Sequence, residues 1–445
     1  MPPPNFVRAL RRRPLMMGLL TLMLVTWGGS VLAATSPGTI SSPKVKLGID
    51  VLAEDGFKPL KGKRVGLLTN QAGVNNLGVS TIDVLRRAPG VNLVALYGPE
   101  HGIDGTVNAG DPVKSTKDPR TGLPVYSLYD ANRRPTPAML KDIDVMVIDL
   151  QDLGARSYTF ASCMLYTMEA CFEAGKAVMV LDRPNPLGGL KVGGPMIEPG
   201  LMSYVGAVPV PYVHGLTIGE LARMAKDNPG WLKGPDEKAP MAESVRKSGQ
   251  LTVVPMQGWR RSMQWPDTGL KWVGTSPKIP TVAAAFGYAM AGLAGELGAF
   301  SHGVGTPYPF RLLNFPGKTP EQIIPALQAR NLTGLDFIPM HYKDAAGTER
   351  SGVYVVIKDW NEVVPTKLAF VMMQLAALWV PPKSNPFNNG EKDAAMYQKL
   401  VGSSAWWEEV TKKGGRMDVE GFFKKWQAED AAFQQKSKTW WLYPP

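Results

Sequence analysis

Cysteine is nearly absent from this 445-residue chain, with Cys163 and Cys171 the only two. On one helix their eight-residue spacing separates them by about 12 Å, whereas a disulfide needs Cα atoms within about 7 Å. A disulfide framework is therefore excluded, and both thiols read as small buried apolar residues. No G-x-G-x-x-G follows a strand candidate. The nearest run, Gly73-Val74-Asn75-Asn76-Leu77-Gly78, has the wrong spacing, so no nucleotide cofactor is expected. There is no H-E-x-x-H pair or comparable ligand spacing, so no metal is expected either. The Lys and Arg residues form no dense block interleaved with aromatics, which argues against a nucleic-acid partner. Beyond the N-terminus no apolar run is long enough to span a bilayer, so no stable membrane insertion is expected.

The N-terminus itself has the pattern of a secretory signal peptide. Arg8, Arg11, Arg12 and Arg13 precede an apolar stretch over 15–25, and Val31-Leu32-Ala33-Ala34 supplies small residues for cleavage. An uncleaved anchor is the alternative. We expect a signal peptide over 1–34, a Ser/Thr/Pro/Gly tether over 35–44, and an exported protein, periplasmic or secreted. The formal charge of +11 falls to +7 when the leader, with four arginines and no acidic residue, is removed.

What is present is a repeated pattern. Val145-Met146-Val147-Ile148 is an unbroken apolar run that turns polar at Asp149, as a strand buried on both faces does. Residues 63–70, 92–97 and 177–181 repeat it. Helical stretches lie between them: Ser80 caps a short one, and 161–173 carries Met164, Leu165, Met168 and Phe172 at helical spacing before Gly175. Thr217-Ile218-Gly219-Glu220 matches a capping box. Strand and helix alternate from 63 to about 187, which predicts an α/β fold with a Rossmann-like parallel sheet. Beyond Pro280 the alternation fades. The expected organisation is a Rossmann-like α/β domain over 45–280 carrying the site, and a smaller C-terminal α+β domain over 281–445 closing the cleft. The tail aromatics, Trp406, Trp407, Phe422, Phe423 and Trp426 among them, are expected in the core.

Ligands of open α/β sheets bind outside the carboxyl ends of the strands. Four exits carry polar clusters: Asn70-Gln71, Glu100-His101, Asp149 with Gln151 and Asp152, and Asp182-Arg183 with Asn185. In one parallel sheet all four share an edge. A carboxyl kept protonated by desolvation beside a more solvated, ionised one is the arrangement glycoside hydrolysis needs. Glu100, held in a loop behind Pro99, is the candidate acid, and His101 could orient it. The partner carboxylate stays open among Asp149, Asp152 and Asp182. Glu169 is a further choice, although a mid-helix Glu usually faces solvent and this one would lie about 12 Å from the helix start.

These residues carry a resemblance. Tyr97-Gly98-Pro99-Glu100-His101-Gly102, Asp149-Leu150-Gln151-Asp152-Leu153-Gly154-Ala155-Arg156 with Tyr158-Thr159, and Leu181-Asp182-Arg183-Pro184-Asn185-Pro186 look like the exo-β-N-acetylmuramidase (NamZ) family. Met168-Glu169-Ala170, His214-Gly215-Leu216-Thr217-Ile218-Gly219-Glu220-Leu221 and Trp441-Leu442-Tyr443 also match, so the likeness runs from about Val45 to the end. It implies an exported enzyme without a nucleotide cofactor that removes N-acetylmuramic acid from non-reducing ends of peptidoglycan fragments. Muropeptides or disaccharides would be its partners. Glu100 matches the glutamate of the family's PEHG motif, the favoured catalytic residue, and Glu169 that of its MEA motif. Glu100, Glu169 and Asp149 are thus the candidate catalytic residues. Asn70, His101, Gln151, Asp152, Arg156, Tyr158, Asp182, Arg183, Asn185 and His214 are the candidate substrate-binding ones.

The chain departs from the family in two places. Ser301-His302-Gly303-Val304-Gly305-Thr306 stands where Ser-Glu-Gly-Arg-Gly-Thr is usual, and Gly193 where a Glu is common. If the missing groups hold the lactyl carboxylate or the acetamido arm, sugar specificity shifts with them. Two other functions fit strand-end carboxyls: a metal-dependent periplasmic hydrolase, and a non-catalytic periplasmic sugar-binding protein. Turnover of a chromogenic N-acetylmuraminide separates the three.

Overall fold

A computed structural model of the chain describes residues 44–235, 238–295, 300–344, 346–380 and 391–445. The expected signal peptide over 1–34 and the tether up to residue 43 lie outside the described residues. In chain order the first strands are β1 (Arg64–Thr69), β2 (Asn92–Gly98), β3 (Thr116–Lys117), β4 (Pro124–Ser127), β5 (Val145–Asp149) and β6 (Ala177–Leu181). A two-stranded antiparallel pair follows, β7 (Gly193–Met196) and β8 (Pro211–Val213), then β9 (Leu251–Val254).

Seven of these strands form one sheet in the order β3-β4-β2-β1-β5-β6-β9. All neighbours are parallel except the edge pair β3–β4. The chain starts in the middle at β1, steps outward through β2 to β4, then returns to the other side of β1 with β5. That reversal is the doubly wound arrangement the alternation predicts, and it opens a crevice at the carboxyl ends of β1 and β5. In register, Thr69 stands opposite Asp149 there.

The apolar runs are continuous because both faces of the sheet are covered. Successive side chains point to opposite faces. Val145 and Val147 join a core with Ile49, Leu52, Ile82 and Leu85, whereas Met146 and Ile148 join one with Phe160, Met164 and Met168. Cys163 and Cys171 are buried and unbridged in the Phe160–Glu173 helix. Thr217 and Glu220 form the expected capping box at the head of the Ile218–Asp227 helix.

The C-terminal half has its own sheet, β10 (Leu312–Leu313), β11 (Leu335–Lys343) and β12 (Glu349–Ile357), antiparallel in the order β10-β12-β11. Of the tail aromatics, Trp406, Phe423 and Trp426 are core and Trp407 and Phe422 pack partly buried against it; Phe370 meets Trp406 and Phe423 edge-on and Trp426 at a tilt, with ring centroids 4.6, 5.4 and 5.0 Å apart.

The last residues run back beneath the first domain. The Tyr443 hydroxyl accepts from the Met256 amide at 3.0 Å and donates to Asp182 at 2.5 Å, while its ring packs edge-on to Trp259. Asp182 is fully buried and also accepts from the Thr217 hydroxyl and the Gly219 amide. Burial outweighs those donors and lifts its carboxyl from 3.8 to about 6. A carboxyl raised in this way contributes most to stability below its unfolded value, and that contribution is lost as pH rises through about 6. Above that point the buried charge depends on its donors. Tyr443→Phe should therefore cost about 1.5–3 kcal/mol near pH 8 and clearly less near pH 5. Denaturant midpoints check this; equal losses at the two pH values would show that Asp182 does not ionise in that interval.

Candidate active site

The four polar exits do share the carboxyl edge of the sheet, but they divide into a floor and a cleft. Asp149 belongs to the floor. It is fully buried; Arg183 Nε donates to its Oδ1 at 2.5 Å, and Arg183 Nη2 to its Oδ2 at 2.8 Å. The Thr81 hydroxyl takes Oδ2 as well. Arg183 also reaches the Val74 carbonyl at 2.7 Å. With Asp182 held by Tyr443, Thr217 and Gly219, neither strand-end aspartate presents a free oxygen. Asn70 is likewise occupied, its amide donating to the distant Thr275 carbonyl and its carbonyl accepting from the Ala72 amide of its own turn.

Glu100 belongs to the cleft. β2 ends at Gly98, and His101 and Gly102 then take φ of +72° and +79°, a left-handed pair that turns the chain sharply. The His101 ring is committed to this loop, with Nδ1 2.7 Å from the Val107 carbonyl. The turn leaves Glu100 with Oε1 accepting from the Gly110 amide at 3.0 Å and Oε2 from the Thr159 hydroxyl at 2.6 Å. Thr159 is the N-cap of the Phe160–Glu173 helix, so the exits of β2 and β5 meet at this carboxylate. The Tyr129 hydroxyl also hydrogen-bonds to it, and burial, then the Glu100 charge, push that phenol upward.

Arg133 lies over the other side of the same tyrosine, its Cζ 3.5 Å from the Tyr129 centroid and 5.3 Å from that of Tyr204. Its Nη1 is shielded from solvent and has no hydrogen-bond partner among the described residues. The next residue, Arg134, anchors the loop by donating to the Gly234 carbonyl at 2.8 Å and pairing with Glu173 at 2.5 Å.

The segment after β5 supplies the rest. Tyr158 donates to Thr275 Oγ1 at 2.8 Å and lies edge-on to Phe160 and Tyr288. Burial raises its phenol, and the charges of both Asp152 and Glu100 reach it. Asp152 Oδ2 accepts from the Gly154 amide at 2.7 Å and lies 3.4 Å from His214 Nε2. His214 Nδ1 accepts from the Leu216 amide, so the proton of the neutral ring sits on Nε2 and faces Asp152. Asp152 Oδ1 is buried with no hydrogen-bond partner among the described residues. Gln151 and Asn185 brace this turn, donating to the Pro184 and Leu216 carbonyls respectively. Gly154 is required here, because a Cβ would stand 2.4 Å from Asn185 Oδ1.

Two candidates lie elsewhere. Arg156 is fully buried and donates to the carbonyls of Pro195, Val210, Leu400 and Val401, which makes it a clamp between segments rather than a cleft group. With no carboxylate partner among the described residues, burial lowers its guanidinium to about 10. Glu169 is buried where solvent exposure is expected of a mid-helix Glu. It accepts from the Lys233 amide at 2.7 Å and faces Arg134 at 3.6 Å. It lies ten residues beyond Thr159, the cap that bonds Glu100, on the order of 15 Å along the helix.

Sequence reasoning missed Tyr129, Arg133 and Tyr204. Tyr129 follows β4, the next parallel strand outward, so inspecting every strand exit would have found it. Nothing local marks Tyr204.

Comparison with known proteins matches both halves of this chain. The model of the N-terminal part of exo-beta-N-acetylmuramidase NamZ matches residues 65–283, and that of its C-terminal part residues 286–443. The chain is 41% identical over 358 residues to the peptidoglycan beta-N-acetylmuramidase NamZ of Bacillus subtilis, covering 78% of this chain and 82% of that protein. A crystal structure of a DUF1343 family protein from Bacteroides fragilis superposes with a TM-score of 0.79 at 41% identity, covering 90% of this chain and 99% of that one. A second from the same organism, 24% identical with a TM-score of 0.66 and the same coverage, shares the fold. By both family models and by this identity, the chain belongs to the exo-β-N-acetylmuramidase NamZ family.

Proposed function

We propose that this protein is an exo-acting glycoside hydrolase that releases β-linked N-acetylmuramic acid from non-reducing ends of peptidoglycan fragments. The observation that carries this reading is the Glu100 carboxyl, held by three separate elements at the carboxyl edge of the sheet. It occurs in a chain related to a peptidoglycan beta-N-acetylmuramidase. Glu100 gives the proton to the glycosidic oxygen as the bond breaks, and the Gly110 and Thr159 donors fix its direction. The second carboxylate is Asp152. Asp149 and Asp182 have both oxygens occupied, and Glu169 is spent on Lys233 and Arg134, whereas the shielded Oδ1 of Asp152 has no hydrogen-bond partner among the described residues. Turned by Gly154 and His214, its charge stabilises the oxocarbenium-like centre.

We place the enzyme outside the cytoplasmic membrane, because residues 1–34 have the charge and apolar pattern of a cleaved leader. The exported chain should begin near Thr35, and its intact mass checks this. A mature protein that retains Met1 would contradict it.

The central kinetic test is Glu100→Gln, which preserves shape and removes the proton. General acid catalysis is worth about 10²–10⁴ in rate. The variant should lose that much on a disaccharide with a sugar leaving group, and far less on an aryl glycoside whose leaving group barely needs a proton. Equal losses on both substrates in a folded variant would remove Glu100 from the role of acid.

A further inference from the structure

We propose that Arg133 is the residue that recognises the carboxylate arm of the sugar and so sets the preference for a muramic acid over other N-acetylhexosamines. This rests on the functional reading above and adds a specificity-determining group to it. Three observations carry the inference. The guanidinium lies over the Tyr129 ring, its Cζ 3.5 Å from the centroid, and that contact holds it in place. Among the described residues no carboxylate pairs with it, and its Nη1 is shielded without a hydrogen-bond partner. An arginine held by stacking and left without an anion presents the planar fork that a carboxylate fits two-pronged.

The third observation is place. The Tyr129 hydroxyl that hydrogen-bonds Glu100 belongs to the ring under Arg133. The guanidinium is therefore within about 9 Å of the carboxyl that meets the glycosidic oxygen, taking normal hydrogen-bond and ring dimensions. One pyranose ring and a short ether arm span such a gap. N-acetylmuramic acid differs from N-acetylglucosamine by just such an arm, a lactyl ether ending in a carboxylate. Arg134, pinned to Gly234 and Glu173, keeps the loop from swinging away, so Arg133 is presented at low entropic cost.

The test compares an aryl β-N-acetylmuraminide with its lactyl methyl ester, which keeps the shape and removes the charge. Wild-type protein should prefer the acid by roughly 10²-fold in kcat/KM, the scale of a desolvated Arg–carboxylate contact. Arg133→Gln should abolish that preference, losing its rate on the acid and not discriminating between the two. Arg133→Lys, which keeps charge without the fork, should restore a preference of roughly tenfold. Activity on the ester reports that each variant is folded. An acid-to-ester ratio unchanged in Arg133→Gln, or equal losses on both substrates, overturns the inference and leaves the muramidase reading standing. Wild-type protein inert on both substrates overturns the muramidase reading and the inference with it.

Discussion

The two-pronged contact between Arg183 and Asp149 is the interaction on which the cleft depends. Both groups are buried, and neither could stay charged there alone. Breaking such a pair by removing one partner typically costs about 3–5 kcal/mol, because the other charge is stranded. Thr81 and the Val74 carbonyl complete the knot, so it gathers segments that follow β1, β5 and β6 into one floor. From that floor the segment after β5 rises, carrying Asp152, Tyr158 and Thr159 towards Glu100. The strand-end charges thus have two uses: Asp149, Arg183 and Asp182 hold the sheet edge together, and Glu100 and Asp152 are the two carboxylates we propose for the reaction.

That division was only partly legible in the sequence. Unbroken apolar runs ending in polar residues marked the strands, and their parallel order placed all four exits on one edge. Asp149 and Asp152 stand three residues apart in equally polar surroundings, however, and what separates them is Arg183, which arrives from the next exit. Glu169 misled in the same way. A helical period says nothing of Arg134 and Lys233, whose loops cover that face of the helix. Arg156 looked like a cleft cation because it follows the Asp152 turn. Its partners Leu400 and Val401 are some 245 positions away, beyond any local pattern.

Long-range contacts of this kind also explain why the two halves act as one enzyme. Arg156 ties the segment after β5 to the chain around Val401, and Gly402 beside it leaves room, since a Cβ there would stand 2.5 Å from Arg156 Nη2. Tyr443 carries the end of the chain to Asp182 in the floor. Tyr288, on the first helix of the C-terminal half, hydrogen-bonds Ser157 at 2.7 Å and packs against Tyr158. The segment after β5 is therefore braced from both halves, and a change in the C-terminal half can reach Tyr158 without touching Glu100.

The most direct measurement is a crystal structure of the Glu100→Gln protein with an uncleaved N-acetylmuramyl disaccharide. The expected result puts the glycosidic oxygen within hydrogen-bond reach of the residue 100 side chain, about 2.6–3.2 Å, with Asp152 on the side of the anomeric carbon. A sugar seated away from the ends of β2 and β5, with that oxygen out of reach of residue 100, would contradict the assignment of this cleft as the active site.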